Sequence, residues 1–204
     1  MANISYVGPD KIHDSQCRQW LGEAMQKGVP GPENQAIRAH NPVVMRSFTM
    51  FREDLKAHGV LEPELRELMR VRISTSWESM LGMEGCHYWG KQGTARDVQT
   101  EGHKLSELDN YMESDKFTHR EKIALEYCDA LMDNPLYADD ELWALLHEEF
   151  TEPELVELGY YIGFTLGGQR WLISLHPQHG ELEEATGFKV TTPEESYKMR
   201  YGNK

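Results

Sequence analysis

The sequence predicts an all-α protein, and three observations carry that expectation. Apolar residues recur at intervals of three and four, the repeat that lines one face of a helix. Helix-start chemistry recurs as well, at Asn41-Pro42, Glu62-Pro63, Thr118-His119-Arg120-Glu121 and Thr151-Glu152-Pro153-Glu154. No segment sustains the alternation that a half-buried strand requires.

Each element follows from local chemistry. Asp14 to Met25 forms a short helix around Trp20, Leu21 and Met25. Lys27 to Gln35 is rich in Gly and Pro and reads as a loop. Asn41 then caps a helix whose first residue is Pro42, a position where the missing N–H costs nothing. Val43, Val44, Phe48, Phe51 and Leu55 are its expected apolar face, and Gly59 its end. The next helix starts at Glu62-Pro63 and carries Leu65, Leu68, Met69 and Met80. Gly82 and Gly85 interrupt it. A new helix is expected from about Cys86 to Glu101, with a stop at Gly102 and a short helix from Ser106 to Glu113.

Thr118 and Glu121 make a capping box, in which the threonine accepts from the third helical N–H and the glutamate reaches back. The helix they open carries Ile123, Leu125, Tyr127, Cys128 and Leu131. Asp139 to Phe150 is a further helix, and Thr151 with Glu154 opens another carrying Leu155, Leu158, Gly159, Ile162 and Leu166. The tail from Gly180 is polar and reads as an arm. The expected organisation is an N-terminal arm and short helix (1–40), a helical domain (41–179) and a C-terminal arm (180–204).

The chain has 204 residues, enough to bury a real core. Its net charge is −13, from 21 basic and 34 acidic residues. Such a surface repels phosphate backbones and anionic lipid, so neither nucleic acid nor membrane is an expected partner. A small anionic substrate stays possible, because a local arginine overrides a global field. Cys17, Cys86 and Cys128 are odd in number and irregularly spaced, which argues against a disulfide framework. The first residues lack a basic stretch followed by an apolar run, and no apolar run approaches the roughly 20 residues of a membrane span. A cytoplasmic protein is expected.

The stretch Met80 to Gly93, MLGMEGCHYWGKQG, holds the densest chemistry. Cys86 near a helix N-terminus would gain thiolate character from the backbone N–H groups and the macrodipole. The alternative is a small buried hydrophobe, as most free cysteines are. His87 is adjacent but points about 100° away on a helix. Cys128 lies on an apolar stripe and reads as core, and Cys17 is given no role. Glu67, in LRELMRVRIS, is either a general acid or base or the partner of Arg66 or Arg70 in a salt bridge. Arg170 follows Leu166 by four residues, which directs it toward the apolar side of its helix, where it must pair with a structural or a substrate carboxylate. Arg72 poses the same question. His176 and His179 flank a proline with no completing ligands, so no metal is expected. Gly-rich phosphate loops and nucleophile elbows are absent from the sequence, and no cofactor is expected.

The run AHNPVVMRSFTMFREDLKAHGVLEPELRELMRVRIS resembles the opening of carboxymuconolactone decarboxylase-like proteins, a superfamily shared with alkylhydroperoxidase D. EGCHYWGKQGTARDVQTEG, FTHREKIALEYCDALM and FTEPELVELGYYIGFTLGGQRWLISL extend the resemblance over residues 40–176. It implies an alkylhydroperoxidase D-like helical bundle that assembles as a trimer or a ring of trimers. The peroxidase branch carries Cys-x-x-Cys followed by a histidine, with a glutamate upstream as proton relay. Cys86 matches the first cysteine, Trp89 stands at the second, and the histidine position falls near Gly93. Arg66-Glu67-Leu68 matches the glutamate motif, with Glu67 standing 19 residues before Cys86. That spacing is longer than the family's by about two helical turns, which would preserve the facing.

Without a resolving thiol, dithiol peroxidase chemistry is not expected. The resemblance implies instead a cofactor-independent enzyme that decarboxylates, or otherwise moves protons on, a small cyclic or aromatic-derived carbonyl or lactone acid. Glu67 or Glu84 would shuttle the proton, Cys86 or His87 assist, Tyr88 and Trp89 line the pocket, and Arg170 hold a carboxylate. Two alternatives stand beside it: a single-cysteine thiol peroxidase or redox sensor, and a non-catalytic oligomeric binding protein.

Overall fold

The computed structural model describes residues 2–28, 30–81, 102–178, 180–192, 195, 198 and 199, with backbone alone for 76–81 and 102–103. All regular elements among these residues are helical. They are α1 (Ser15–Lys27), α2 (Pro32–Arg38), α3 (Pro42–His58), α4 (Pro63–Leu81), α5 (Gly102–Leu105), α6 (His119–Asp133), α7 (Asp140–Glu149), α8 (Glu152–Leu175) and α9 (Glu181–Thr186). The chain forms two compact units, one of residues 1–57 and 170–204, the other of residues 58–169.

In the first unit, the Asp14 carboxylate accepts from the Cys17 N–H and starts α1, and Gly28 ends it in the left-handed conformation that glycine adopts freely. Helix α2 packs on α1 and α9. Cys17, Leu21 and Met25 of α1, Ala36 of α2, Met45 of α3 and Leu182 of α9 close around one core. The expected polar tail therefore begins as a packed helix, anchored where the Leu182 side chain is fully buried.

Two expectations for this unit need correction. The loop assigned to residues 27–35 ends early, because Pro32 opens α2 as its first residue. The first turn of α3 also departs from the expected face, while Phe48, Phe51 and Leu55 are half-buried. Met45 and Thr49 are buried, whereas Val43 is 68% exposed and Val44 lies outside the core. Asn41 does cap α3, its Oδ1 accepting from the N–H groups of Val43 and Val44 at 3.1 and 3.4 Å.

The second unit builds its core from Leu65, Leu68, Met69 and Ile73 of α4, Ile123, Leu125 and Cys128 of α6, Leu142 and Leu146 of α7, and Leu155, Leu158, Ile162 and Leu166 of α8. Helix α4 packs on α6, and α6 on α7. The Thr118 capping box is complete in both directions. At α8, Glu154 reaches back to the Thr151 N–H at 2.7 Å and to its hydroxyl at 2.8 Å. Gly159 passes under Tyr127: a Cβ there would meet the tyrosine oxygen at 3.1 Å. The expected helix at 106–113 is a single 3-10 turn, Leu108–Asn110, and Gly102 lies in α5; the helix expected from Cys86 to Glu101 lies outside the described residues. No helix of the described residues is long and apolar enough to cross a membrane.

Ion pairs tie the unit together. Arg66 donates to Glu157 at 2.6 Å, with both side chains nearly buried. The same carboxylate accepts from the Val60 and Leu61 N–H groups. Arg72 grips both oxygens of Asp129, at 2.7 and 2.9 Å, and Tyr111 donates to the same aspartate at 3.0 Å. Arg72 is thus a structural arginine. Breaking a buried pair from one side leaves the other charge uncompensated, so Arg66→Ala should destabilise by about 3 kcal/mol. The double replacement of Arg66 and Glu157 by methionine should recover part of that loss. Urea midpoints at unchanged slope would register both effects.

Candidate active site

Helix α4 carries Glu67 on a face shared with Arg70 and Ser74, at the i, i+3, i+7 spacing of one helical side. The Glu67 side chain is 11% exposed, close to the core but not sealed in it. Arg70 holds it with two parallel hydrogen bonds, Nε to Oε2 at 2.9 Å and Nη2 to Oε1 at 3.0 Å. This fork fixes the carboxylate plane as a single point charge could not. Burial works against the charge on Arg70, but attraction to Glu67 and these bonds outweigh it, so the guanidinium is held more firmly protonated than in water. The phenol of Tyr161 on α8 adds to the local field at Arg70.

Gln169 closes the polar group from α8. Its amide N–H donates to Ser74 Oγ at 3.0 Å and to the Arg70 carbonyl at 3.4 Å. Ser74 in turn donates to the Arg70 carbonyl at 2.9 Å. A glutamate, an arginine, a serine and a glutamine from two helices of the second unit thus form one hydrogen-bonded cluster. Of the two salt bridges the sequence allows for Glu67, the one with Arg70 forms, while Arg66 is engaged by Glu157. Ser74 and Gln169 escape sequence reasoning; the signal was Ser74's place on the Glu67 face.

Arg170 is an exposed residue and does not point toward the apolar side of its helix. The buried stripe of α8 runs Leu155, Leu158, Ile162, Leu166. A residue 15 positions after Leu155 lies about 60° off that line at 100° per residue, which rotates Arg170 to the surface. Glu84, Cys86, His87, Tyr88 and Trp89 lie outside the described residues. Among the described residues, no three His, Cys, Asp or Glu side chains are grouped to hold a metal ion.

The other two cysteines are unsuited to thiol chemistry. Cys17 is fully buried, and that burial, followed by a hydrogen bond to Asp14 and its charge, pushes the thiol up to about 11. Burial and the neighbouring Asp129 likewise raise Cys128.

No protein-family model matches the chain, and no curated protein matches it. Solved structures do. The debrominase Bmp8 in its apo form superposes with a TM-score of 0.71 at 16% identity, covering 90% of this chain and 95% of that one. A variant of Bmp8 with a cysteine changed to alanine, in complex with 2,3,4-tribromopyrrole, gives 0.70 at 17% identity, covering 91% and 96%. A protein of unknown function from Agrobacterium tumefaciens, proposed as an antioxidant defence protein AhpD, gives 0.57 at 20% identity, covering 70% of this chain and 94% of that one. The chain therefore has the all-α, alkylhydroperoxidase D-like fold that its sequence resembles.

Two outcomes follow for the thiols. In a Cys86→Ser chain, Cys17 and Cys128 should alkylate slowly while the protein is native and fully once it is unfolded in guanidinium; rapid native labelling would contradict their placement. Cys17 also couples folding to pH. Its unfolded thiol ionises near the ordinary value of 9.0, its folded thiol at about 11. The unfolded chain loses its proton first, so the Cys17 contribution is complete below that ordinary value and is lost as pH climbs to about 11. Thermal scans across this range should show the decline shrink in Cys17→Ala.

Proposed function

We propose that this protein is a cofactor-independent enzyme that moves a proton on a small cyclic or aromatic-derived carbonyl or lactone acid, by decarboxylation or a related lyase or isomerase step. The observation that carries the reading is the Glu67 carboxylate held on both oxygens by Arg70 in a half-buried polar cluster. In decarboxylation the bond to the carboxylate carbon breaks, carbon dioxide leaves, and the electron pair remains as an enolate that needs a hydrogen-bond donor and then a proton on carbon. Glu67, or alternatively Glu84, is the proton shuttle. Cys86 or His87 assists, and Tyr88 and Trp89 line the pocket. Arg70 is a positioning residue for Glu67. A debrominase of this fold in complex with a small heteroaromatic ring supports a compact cyclic substrate.

A second reading has its own support. With Cys17 and Cys128 buried and raised, thiol reactivity falls to Cys86, and a cysteine-to-alanine variant was used for the debrominase complex. In this reading Cys86 is the nucleophile of a single-cysteine peroxidase, and an external thiol resolves it. We also propose a homo-oligomer: Val156 and Tyr160 on α8 are exposed, the kind of apolar surface that subunit contacts cover.

The test is solvent deuterium incorporation by a panel of small cyclic lactone and aromatic-derived acids. Glu67→Gln should lower incorporation by about 10²–10⁴-fold, the usual contribution of general acid–base catalysis. Arg70→Lys should lower it less, with a shifted pH profile. Unchanged incorporation in Glu67→Gln with loss in Cys86→Ser would transfer the assignment to the thiol.

A further inference from the structure

In the first unit, two arginines share one aromatic ring. Arg38, the last residue of α2, is 5% exposed. Its guanidinium lies over the Phe48 ring at 3.6 Å and faces the Trp171 ring at 5.8 Å. Arg52, one helical turn beyond Phe48, stands 5.5 Å from the same ring. It occupies the inward stripe of α3, after Met45, Phe48 and Thr49.

Neither arginine has an acidic partner among the described residues. The hydrogen bond of Arg38 runs from Nη1 to Gln35 Oε1 at 3.1 Å, onto a neutral amide. Gln35 is fully buried, and its side-chain amide Nε2 donates to Thr49 Oγ1 at 3.5 Å. Two rings and a second cation also flank Arg38. Burial, and then the charge of Arg52, pull the Arg38 guanidinium down to about 9. Arg46, Arg66, Arg70, Arg72 and Arg120 each meet a carboxylate.

Buried cations without counter-ions are costly, and ring faces offset the cost only in part. We propose that Arg38 and Arg52, arranged around Phe48, form a binding site for the carboxylate of a small organic acid with an apolar body. A planar fork matches a carboxylate on two atoms, and a second guanidinium neutralises what the first does not. The Trp171 ring, 37% exposed, offers the flat apolar wall against which such a body would rest. The inference stands on the first unit alone and does not rest on the role assigned to Glu67.

Calorimetric titration of the intact chain with benzoate tests it, with acetate, inorganic phosphate and neutral benzamide alongside. Benzoate should bind best, weaken as salt rises, and lose at least tenfold in affinity in Arg52→Gln. Tighter binding of phosphate, equal binding of benzamide, or affinity unchanged in Arg52→Gln would overturn the assignment. A second measurement needs no ligand. Removing one of two like charges should raise the melting temperature of Arg52→Gln; a lowered one would mean that Arg52 is already neutralised, and the site would fall. Sedimentation of the same variant supplies the last arm: a change of oligomeric state with no benzoate binding would give the arginines to a second copy's carboxylate and overturn the small-acid site.

Discussion

Arg120 is the constraint on which the second unit depends. It sits in the first turn of α6, and its guanidinium reaches the ends of three other helices. It donates to the carbonyl of Glu149 at the end of α7, to Glu154 in the first turn of α8 at 2.6 Å, and to Glu62 just before α4 at 3.3 Å. Its Cζ lies 3.9 Å above the ring of Phe150, in the connection between α7 and α8. Helix ends carry backbone groups without partners. One side chain here satisfies such a group at a C-terminus while holding the acidic first turn of the next helix. The Arg120 Nε is left buried without a partner, so the geometry favours the fork over complete satisfaction.

The same economy appears at two further carboxylates of the second unit. Glu157 accepts from Arg66 and from two backbone N–H groups, and Asp129 from Arg72 and Tyr111. Each of these two carboxylates serves several donors, which limits the desolvation left uncompensated. The exception lies in the first unit, where two arginines share aromatic faces in place of an acid. Cys17 makes a related point about position. It lies in the first turn of α1, where the backbone favours a thiolate, yet burial and Asp14 win. A cysteine near a helix start is therefore not activated by that location alone.

Much of the fold was legible because its punctuation is local. Asn41, Thr118 and Asp139 announce helices through their own hydrogen bonds, with no reference to the rest of the chain. Facing was harder to read. Val43 and Val44 outweigh Met45 and Thr49 in hydrophobicity, so sequence misplaces the first turn of α3; tertiary packing, which buries Gln35 beside Thr49, decides otherwise. Arg170 follows its stripe in sequence but drifts off it in angle. At the candidate site, Glu67 and Arg70 were visible as neighbours on one helix. Gln169 was not, because its bond to Ser74 spans 95 residues.

That the Glu67–Arg70 pair belongs to a single helix has a consequence of its own. Both partners rise from consecutive turns of α4, so their geometry is set as soon as that helix coils. Tertiary assembly has only to deliver the helix; it need not align two separate segments to sub-ångström tolerance. The carboxylate thus travels as a preassembled cartridge. Loops and neighbouring helices could be exchanged around it while the carboxylate keeps its orientation.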